Sequence, residues 1–305
     1  MSGKYPIDAN VEHRKRRASL LSLVTNLCLT LLKVVAALIT GSMSLMSESI
    51  HSGGDVVAAL AAYLSVRASS VPPDEEHPYG HGKIESLASF GESILLLMMV
   101  GLIFKESVDR LSHGGEVKKI EIGFWVMGLS ALASLTVGPY VRKIAAQTDS
   151  IALRSNGRHV MIDFWTSAGV LAALVVTKFT GWQTADAWFA IGLGVWIAFN
   201  AVSMARESVQ QLIDRRVSDD EIAKIRETLR GFEGLLSYHR LRTRHSGNVH
   251  YIDVHVVVPN HWTVVQGHTL ADEIESALEL ALQPAQAVVH IDPYDAQKAV
   301  SGDQA

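Results

Sequence analysis

Residues 41–55, which read GSMSLMSESIHSGGD, decide the fold because they place ionisable side chains inside a long apolar stretch. The apolar stretch continues to about Val66, yet it contains Glu48, His51 and Asp55. A charge at the centre of a bilayer costs about 2.5–3.5 kcal/mol on insertion scales, so such residues usually face the interior of a helix bundle. The segment therefore predicts an ion pathway inside a bundle of membrane-spanning helices.

A repeated pair of residues predicts a metal site in this bundle. His51 and Asp55 are four residues apart and share one face of a helix. The same pair recurs as His159 and Asp163 within the sequence RHVMID. Two such helices side by side offer two imidazoles and two carboxylates, which suit a tetrahedral divalent metal. One buried histidine is as readily a hydrogen-bonded core residue, and the repetition is what favours the metal site.

The composition indicates a membrane protein with six spans. The chain has 305 residues, of which 48% are hydrophobic, and a mean hydropathy of +0.19. A bilayer core roughly 30 Å thick needs about 20 apolar residues in a spanning helix. Six stretches meet this requirement, namely residues 18–40, 42–66, 84–104, 122–141, 160–176 and 188–204.

Charges near the first span predict the orientation. The sequence HRKRR at residues 13–17 precedes this span and is expected to stay in the cytoplasm. Six crossings then return the C-terminus to the cytoplasm. The first span is long, contains Lys33 and lacks a small-residue cleavage site, so we expect it to be retained rather than removed as a signal peptide. The net charge of −4 argues against a nucleic-acid-binding surface.

The last third of the chain predicts a small soluble domain. We divide the chain into a cytosolic tail (1–17), a transmembrane domain (18–205), a linker (206–217), a cytosolic domain (218–293) and a C-terminal tail (294–305). Ser218 with Glu221, and Thr263 with Gln266, have the spacing of capping boxes that open helices. Strands are predicted at residues 238–244, 251–258 and 287–292. The order αββαβ is typical of a two-layer, ferredoxin-like α+β domain.

Two further groups of residues are candidate metal ligands. The loop SSVPPDEEHPYGHGK, residues 69–83, contains Asp74, His77 and His81, although an ordinary solvated loop is the favoured interpretation of such a short motif. Seven of the thirteen histidines lie in the predicted cytosolic domain. His290 and Asp292 share one strand face there at a chelating spacing, which hints at a cytosolic metal site.

Two other classes of protein could also combine histidine and aspartate with membrane-spanning helices. An intramembrane metalloprotease should contain the string H-E-x-x-H, which is absent from this sequence. We therefore do not expect an enzyme. A membrane metal sensor or scaffold would keep cytosolic ligands and lose the membrane ligands, whereas this chain has both sets.

The motifs GSMSL, HSGGD, HPYGHGKIESL, RHVMID and VVHIDP, in this order, resemble those of the cation diffusion facilitator family. The resemblance runs from about residue 17 to residue 293 and is closest to bacterial zinc and ferrous-iron efflux members. It implies a homodimer in the cytoplasmic (inner) membrane, with six spans and a cytosolic ferredoxin-like domain. It also implies export of divalent cations in exchange for protons by alternating access.

The resemblance assigns residues to sites. It implies a transport site at His51, Asp55, His159 and Asp163, and a loop site at Asp74, His77 and His81. It implies a binuclear cytosolic site at His239, His255, His268, His290 and Asp292. A charge interlock between subunits would map to Lys83 and Asp214. Some bacterial members have aspartate at the position of His51, and the histidine resembles the zinc-selective branch.

The chemistry of the predicted transport site agrees with this activity. Two neutral histidines and two carboxylates make a neutral site around a divalent cation, which limits the cost of burying the charge. Metal binds deprotonated ligands, and imidazole titrates between about pH 5 and 8, so metal entry releases protons. Because imidazole also suits other transition metals, Zn²⁺ is the expected substrate and Cd²⁺, Fe²⁺, Co²⁺ and Mn²⁺ stay open as alternatives.

Overall fold

The computed structural model of the chain describes residues 9–40, 43–113, 120–180 and 185–294. The chain divides near residue 210 into two compact units. The unit on the N-terminal side of this division is helical, and the other is a small α+β domain.

Six long helices form the helical unit within the described residues. Their bounds are α1 Ala9–Thr40, α2 Met43–Ser69, α3 Lys83–His113, α4 Ile120–Thr148, α5 Ile151–Thr180 and α6 Ala185–Leu212. Helix α1 packs along α2 and α4, α4 packs along α5, and α2 also contacts α3 and α5. Helix α1 begins nine residues before the predicted first span, and α6 continues past the predicted end of the last span. Much of the predicted tail and linker is therefore helical.

The helical unit has apolar side chains on its surface and hydroxyl groups in its interior. Large side chains such as Ile39 and Phe179 are 78% and 82% exposed. Serines at helix contacts, among them Ser22, Ser93 and Ser208, are fully buried. This distribution is the one expected for helices in lipid, where small polar residues allow close packing.

Four of the described helices are long and apolar enough to cross a membrane, and they lie within α1, α3, α4 and α6. The predicted count of six spans is thus only partly supported by hydropathy. Helices α2 and α5 carry ionisable residues in their interiors, including Asp55 on α2 and Asp163 on α5. These polar residues lower the mean hydropathy of the two helices.

Glu85, at the start of α3, joins several helices at one end of the bundle. It is fully buried, and its Oε1 lies 2.6 Å from the Lys15 Nζ of α1. The same oxygen accepts a hydrogen bond of 2.8 Å from Ser69 Oγ of α2. Its Oε2 accepts hydrogen bonds from Ser150 Oγ and, at 3.4 Å, from the Ala152 N–H of α5. One carboxylate therefore connects α1, α2, α3 and α5.

The α+β domain has the predicted order αββαβ. Its elements are α7 Asp219–Arg230, β1 Ser237–Ser246, β2 Val249–Val258, α8 Val264–Ala281 and β3 Ala285–Pro293. Both predicted capping boxes are confirmed, at Ser218 with Glu221 and at Thr263 with Gln266. The sheet order is β1-β2-β3, with β1 antiparallel and β3 parallel to β2. A fourth strand, which a complete ferredoxin-like sheet would have, is absent from residues 210–294.

The two helices cover one face of the sheet. Ile225 of α7 and Ile274 of α8 pack with the buried side chains of Ile252 and Val254 on β2. The opposite face carries the alternate residues of β2, among them His255. Because side chains alternate along a strand, the sheet separates a buried apolar face from a face available for polar groups.

Candidate metal centres

Asp55, His159 and Asp163 come together in the interior of the helical unit. His159 Nε2 lies 3.0 Å from Asp55 Oδ1 on α2 and 3.8 Å from Asp163 Oδ1, one turn further along α5. His159 and Asp55 are 2% and 7% exposed. One imidazole nitrogen and two carboxylates thus converge where little water screens their charges, which is an arrangement able to hold a divalent cation.

The fourth residue of the predicted tetrad is His51. It lies on α2 one turn before Asp55, and its side chain falls outside the part of the chain that the structure describes. The structure therefore shows the convergence of the other three residues only, and the role of His51 stays a prediction.

Glu92 belongs to this centre, although the sequence pattern did not single it out. Its buried Oε1 lies 3.1 Å from His159 Nδ1, on the other side of the ring from Asp55. A metal-binding histidine commonly directs its second ring nitrogen to a carboxylate, which fixes the orientation and tautomer of the imidazole. The two atoms are close but not aligned for a hydrogen bond, so Glu92 favours a proton on Nδ1 through its charge and leaves Nε2 to a metal. Its charge inside an apolar run was the available signal.

A small cavity opens beside the aspartates. Hydroxyl groups from four helices line it, and so does Lys33, whose Nζ donates a hydrogen bond of 2.6 Å to Ser52 Oγ. The lysine is 6% exposed, so its positive charge lies in the same poorly screened space as the charges of Asp55 and Asp163. The described lining residues are Asn26, Leu29, Thr30, Lys33, Ser52, Asp55, Ser130, Ser134, Asp163, Thr166 and Ser167.

The loop between α2 and α3 brings Asp74, His77 and His81 together. His77 Nδ1 lies 3.3 Å from Asp74 Oδ1, and His81 Nε2 lies 3.4 Å from Asp74 Oδ2. The backbone N–H of His77 donates to Asp74 at 2.6 Å and, together with the two imidazoles, lowers the pKa of Asp74. His81 directs Nδ1 to the Val71 carbonyl at 3.3 Å, which leaves Nε2 toward the carboxylate. The group is much more exposed than the group formed by Asp55, His159 and Asp163.

A third group lies on the polar face of the sheet in the α+β domain. Asp292 Oδ2 lies 3.2 Å from His239 Nε2 and 3.0 Å from His255 Nδ1, and Asp292 Oδ1 lies 3.4 Å from His290 Nε2. Burial alone would raise the pKa of Asp292, but the hydrogen bond from His255 and the adjacent imidazoles lower it. Because Oδ2 lies near His239 and His255 whereas Oδ1 lies near His290, Asp292 has the geometry of a ligand that could bridge two ions.

A bulge in β1 brings His239 to this face. His239 pairs with His255, and the next register pair is Arg242 with Asp253. Residues 240 and 241 of β1 therefore oppose the single residue 254 of β2. Arg240 in the bulge has a φ of 50°. Bulges of this kind reverse the alternation of side chains beyond them. His239 therefore faces Asp292, while residues after the bulge follow the opposite parity.

Three other predicted residues lie outside these groups. His268 is on α8, where its Nε2 lies 3.6 Å from Asp272 Oδ2. Asp214 Oδ2 lies 3.4 Å from Arg244 Nη1 of the α+β domain. Lys83 begins α3 in the helical unit. The predicted interlock between Lys83 and Asp214 concerns two subunits and stays a prediction.

A membrane-type helical domain that buries a His–Asp group, followed by an α+β domain with its own His–Asp group, defines a class of divalent-cation transport proteins. The family model for the cation efflux transmembrane domain matches residues 19–213. The model for the cytoplasmic domain of cation efflux proteins, ZT_dimer, matches residues 217–294. The chain therefore belongs to the cation efflux family, the cation diffusion facilitators. It is a multi-pass membrane transporter and not an enzyme.

Individual relatives agree with this assignment. The cation-efflux pump FieF of Klebsiella pneumoniae is 32% identical over 277 residues, covering 91% of this chain and 92% of that protein. FieF of Salmonella choleraesuis has the same identity and coverage. Two solved structures from work on CzrB, a proposed zinc transporter, are 32% and 33% identical over 26% of this chain. They cover 99% and 92% of those chains at a TM-score of 0.24, which does not bear on the fold of this chain.

Removing the charge of Glu92 is expected to weaken cation binding. Glu92→Gln should raise the cation concentration for half-maximal transport by about 10–100-fold, as is typical when a carboxylate behind a ligating histidine is lost. The maximal rate should change less, because the ligands themselves remain. The measurement is the concentration dependence of metal uptake into proteoliposomes. Glu92→Asp should restore part of the affinity, and equal affinities for Glu92→Gln and wild type would exclude this positioning role.

Proposed function

We propose that this chain is a zinc exporter of the bacterial inner membrane that exchanges Zn²⁺ for protons by alternating access. It works as a homodimer with six spans and with both termini in the cytoplasm. The observation that carries the proposal is the buried position of His159 between Asp55 and Asp163, beside a cavity lined with hydroxyl groups. With His51 as a fourth ligand, the site offers two nitrogens and two oxygens.

The charges of this site support coupling to protons. When Zn²⁺ binds, the two aspartates balance its charge and the imidazole must supply an unprotonated nitrogen. When Zn²⁺ leaves, the carboxylates stay in a space of low dielectric, where a proton on the imidazole lowers the cost of their burial. Metal and protons thus occupy the same group in turn, which is the basis of an exchange mechanism.

Zinc and proton fluxes in reconstituted liposomes test this function. An inward zinc gradient should drive zinc uptake together with acidification of the opposite compartment, measured with a zinc indicator and a pH dye. Zinc uptake without proton movement would reject the antiport mechanism. A panel of Cd²⁺, Fe²⁺, Co²⁺ and Mn²⁺ under the same conditions decides the substrate range, and faster transport of any of these ions than of Zn²⁺ would reject zinc as the main substrate.

The cytosolic group is proposed to hold two resident zinc ions at the contact between subunits. His239, His255, His290 and Asp292 fit such a site because three nitrogens surround a carboxylate with two usable oxygens. His268 would complete it from the second subunit, since within one chain it contacts Asp272. Asp74, His77 and His81 are proposed as a separate exposed site, and Lys83 with Asp214 as an interlock between subunits.

Removal of metal is expected to loosen the paired cytosolic domains. Without the ion, nothing holds the ligands of the two subunits together, so chelation should broaden and lengthen distances between spin labels on the two cytosolic domains. Distances between labels on the membrane helices should stay unchanged and serve as the control. Identical cytosolic distances with zinc and with chelator would contradict a metal-dependent contact.

A further inference from the structure

A separate group of potential ligands lies at the turn of the β1–β2 hairpin. His245 and His250 are direct partners across the antiparallel strands, on either side of a two-residue turn. Gly247 opens the turn with a φ of +62°, which suits the first position of a type II′ turn. Glu221 reaches them from the first turn of α7. One ligand atom from each of Glu221, His245 and His250 lies within 4.8 Å of the others.

The contact of His250 Nδ1 with a backbone carbonyl directs its second nitrogen, Nε2, to Glu221. Its Nδ1 lies 3.0 Å from the Pro284 carbonyl oxygen, which can only accept, so Nδ1 carries the hydrogen. In the neutral ring, Nε2 then presents a lone pair to Glu221 Oε1 at 2.8 Å. Nε2 and Glu221 Oε1 would then both be acceptors, and two acceptors only 2.8 Å apart repel each other. A positive species at Nε2, which is either a second proton or a metal ion, removes this repulsion. Backbone carbonyls hold the second nitrogen of metal-ligating histidines in this way.

Glu221 can serve this group without giving up its role in the helix cap. Its Oε2 accepts a hydrogen bond of 2.7 Å from the Ser218 N–H, and its Oε1 faces His250. The burial of Glu221 would raise its pKa, but the bonds from Ser218 and His250 lower the pKa to about 2. The residue is therefore a carboxylate at neutral pH. Its Oε2 also lies 3.9 Å from His245 Nε2.

This group is distinct from the His239–His255–Asp292 cluster. His250 continues the buried face of β2, whereas His255 lies on the opposite face. Five residues of extended strand separate the two histidines, a distance of about 16 Å. The side chains of His250 and His245 are 10% and 15% exposed, so regular elements on three sides hold the group in place.

We propose that Glu221, His245 and His250 form a further binding site for zinc or a similar divalent transition metal. Two imidazoles and one carboxylate, with water in the fourth position, are a donor set that zinc accepts in proteins. The site adjoins the segment that enters the domain after α6, because the Val217 N–H bonds to Thr243 Oγ1 at 3.2 Å. A bound ion ties the start of α7 to the hairpin.

Metal stoichiometry of the full-length protein in detergent tests the proposal. Glu221→Gln and His245→Gln should each bind one Zn²⁺ per chain fewer than wild type, or bind it at least about 100-fold more weakly, since they remove a ligand. Glutamine also completes a capping box, so Glu221→Gln keeps the start of α7. His261→Gln, which changes an exposed histidine of the same domain, is the matched control and should retain wild-type stoichiometry.

Replacement of Zn²⁺ by Co²⁺ provides a second, spectroscopic test of the proposed site. With Co²⁺ in place of Zn²⁺, the visible absorption of wild type should include one more tetrahedral site than that of either variant. Hydrogen exchange of α7 and the β1–β2 hairpin establishes that each variant is folded. If folded Glu221→Gln and His245→Gln both bind as much Zn²⁺ and Co²⁺ as wild type, the group is an imidazolium–carboxylate ion pair and the proposal is wrong.

Discussion

Replacing Asp163 with asparagine is expected to abolish zinc transport while leaving the protein folded. Asparagine has nearly the same shape but no charge, so the site would hold a divalent cation with one compensating carboxylate fewer among the residues that converge on His159 Nε2. In a space of low dielectric the uncompensated charge is costly. Zinc uptake into proteoliposomes should fall at least about 100-fold, beyond the effect of losing a residue that only supports a ligand.

A matched control separates this effect from general damage to the bundle. Asp109→Asn makes the same chemical change at an exposed position of α3 and should transport zinc at the wild-type rate. Both variants should elute as wild type does in size-exclusion chromatography. Full zinc flux through folded Asp163→Asn would remove Asp163 from the transport site.

Replacing Glu85 with alanine is expected to cause the largest loss of stability. Lys15 is 3% exposed, and its ammonium group would lose its carboxylate partner at 2.6 Å. Breaking a buried ion pair from one side typically costs about 3–5 kcal/mol, because the remaining charge stays buried without compensation. The hydroxyl groups of Ser69 and Ser150 lose their acceptor as well. The measurement is thermal unfolding of the purified protein in detergent.

A second substitution distinguishes the lost pair from a simple cavity. In Lys15→Met with Glu85→Leu, both charges are replaced by apolar groups of similar size, and most of the stability should return. Glu76→Ala, which removes an exposed carboxylate from the neighbouring loop, should unfold at the wild-type temperature. If Glu85→Ala also unfolds at that temperature, the buried pair does not stabilise the bundle.

Apolar runs predicted the helices of the membrane unit, but not their ends. A run such as residues 18–40 must be helical in lipid, because only a helix satisfies its backbone there. Hydropathy says nothing about the polar residues 9–17, which are also helical. Contacts such as that of Lys15 with Glu85 accompany this extension, and these contacts depend on how distant helices pack.

The residues of the membrane centre differ in how well the sequence could identify them. His159 and Asp163 form a pair at a helical spacing, and the earlier pair containing Asp55 repeats it, so the pattern predicted their convergence. Glu92 has no partner at such a spacing. Its role depends on the placement of α3 beside α5, which no local pattern encodes.

The group formed by Glu221, His245 and His250 was missed because the predicted strands were too short. Ending the first strand at residue 244 and starting the next at residue 251 left His245 and His250 in a loop. Gly247 followed by Asn248 is a signal for a two-residue hairpin turn, and this turn would have paired the two histidines. The contact with Glu221 also required the position of α7 on the sheet.

The bulge at Arg240 makes the number of residues in β1 as important as their identity. His239 and His245 are six residues apart, so an uninterrupted strand would direct both side chains to the same face. The extra residue sends them to opposite faces. An in-frame loss of one codon at position 240 or 241 would therefore turn His239 away from Asp292 without replacing any ligand. The proposed site at Asp292 therefore depends on the length of β1, and a comparison of ligand residues alone would not reveal its loss.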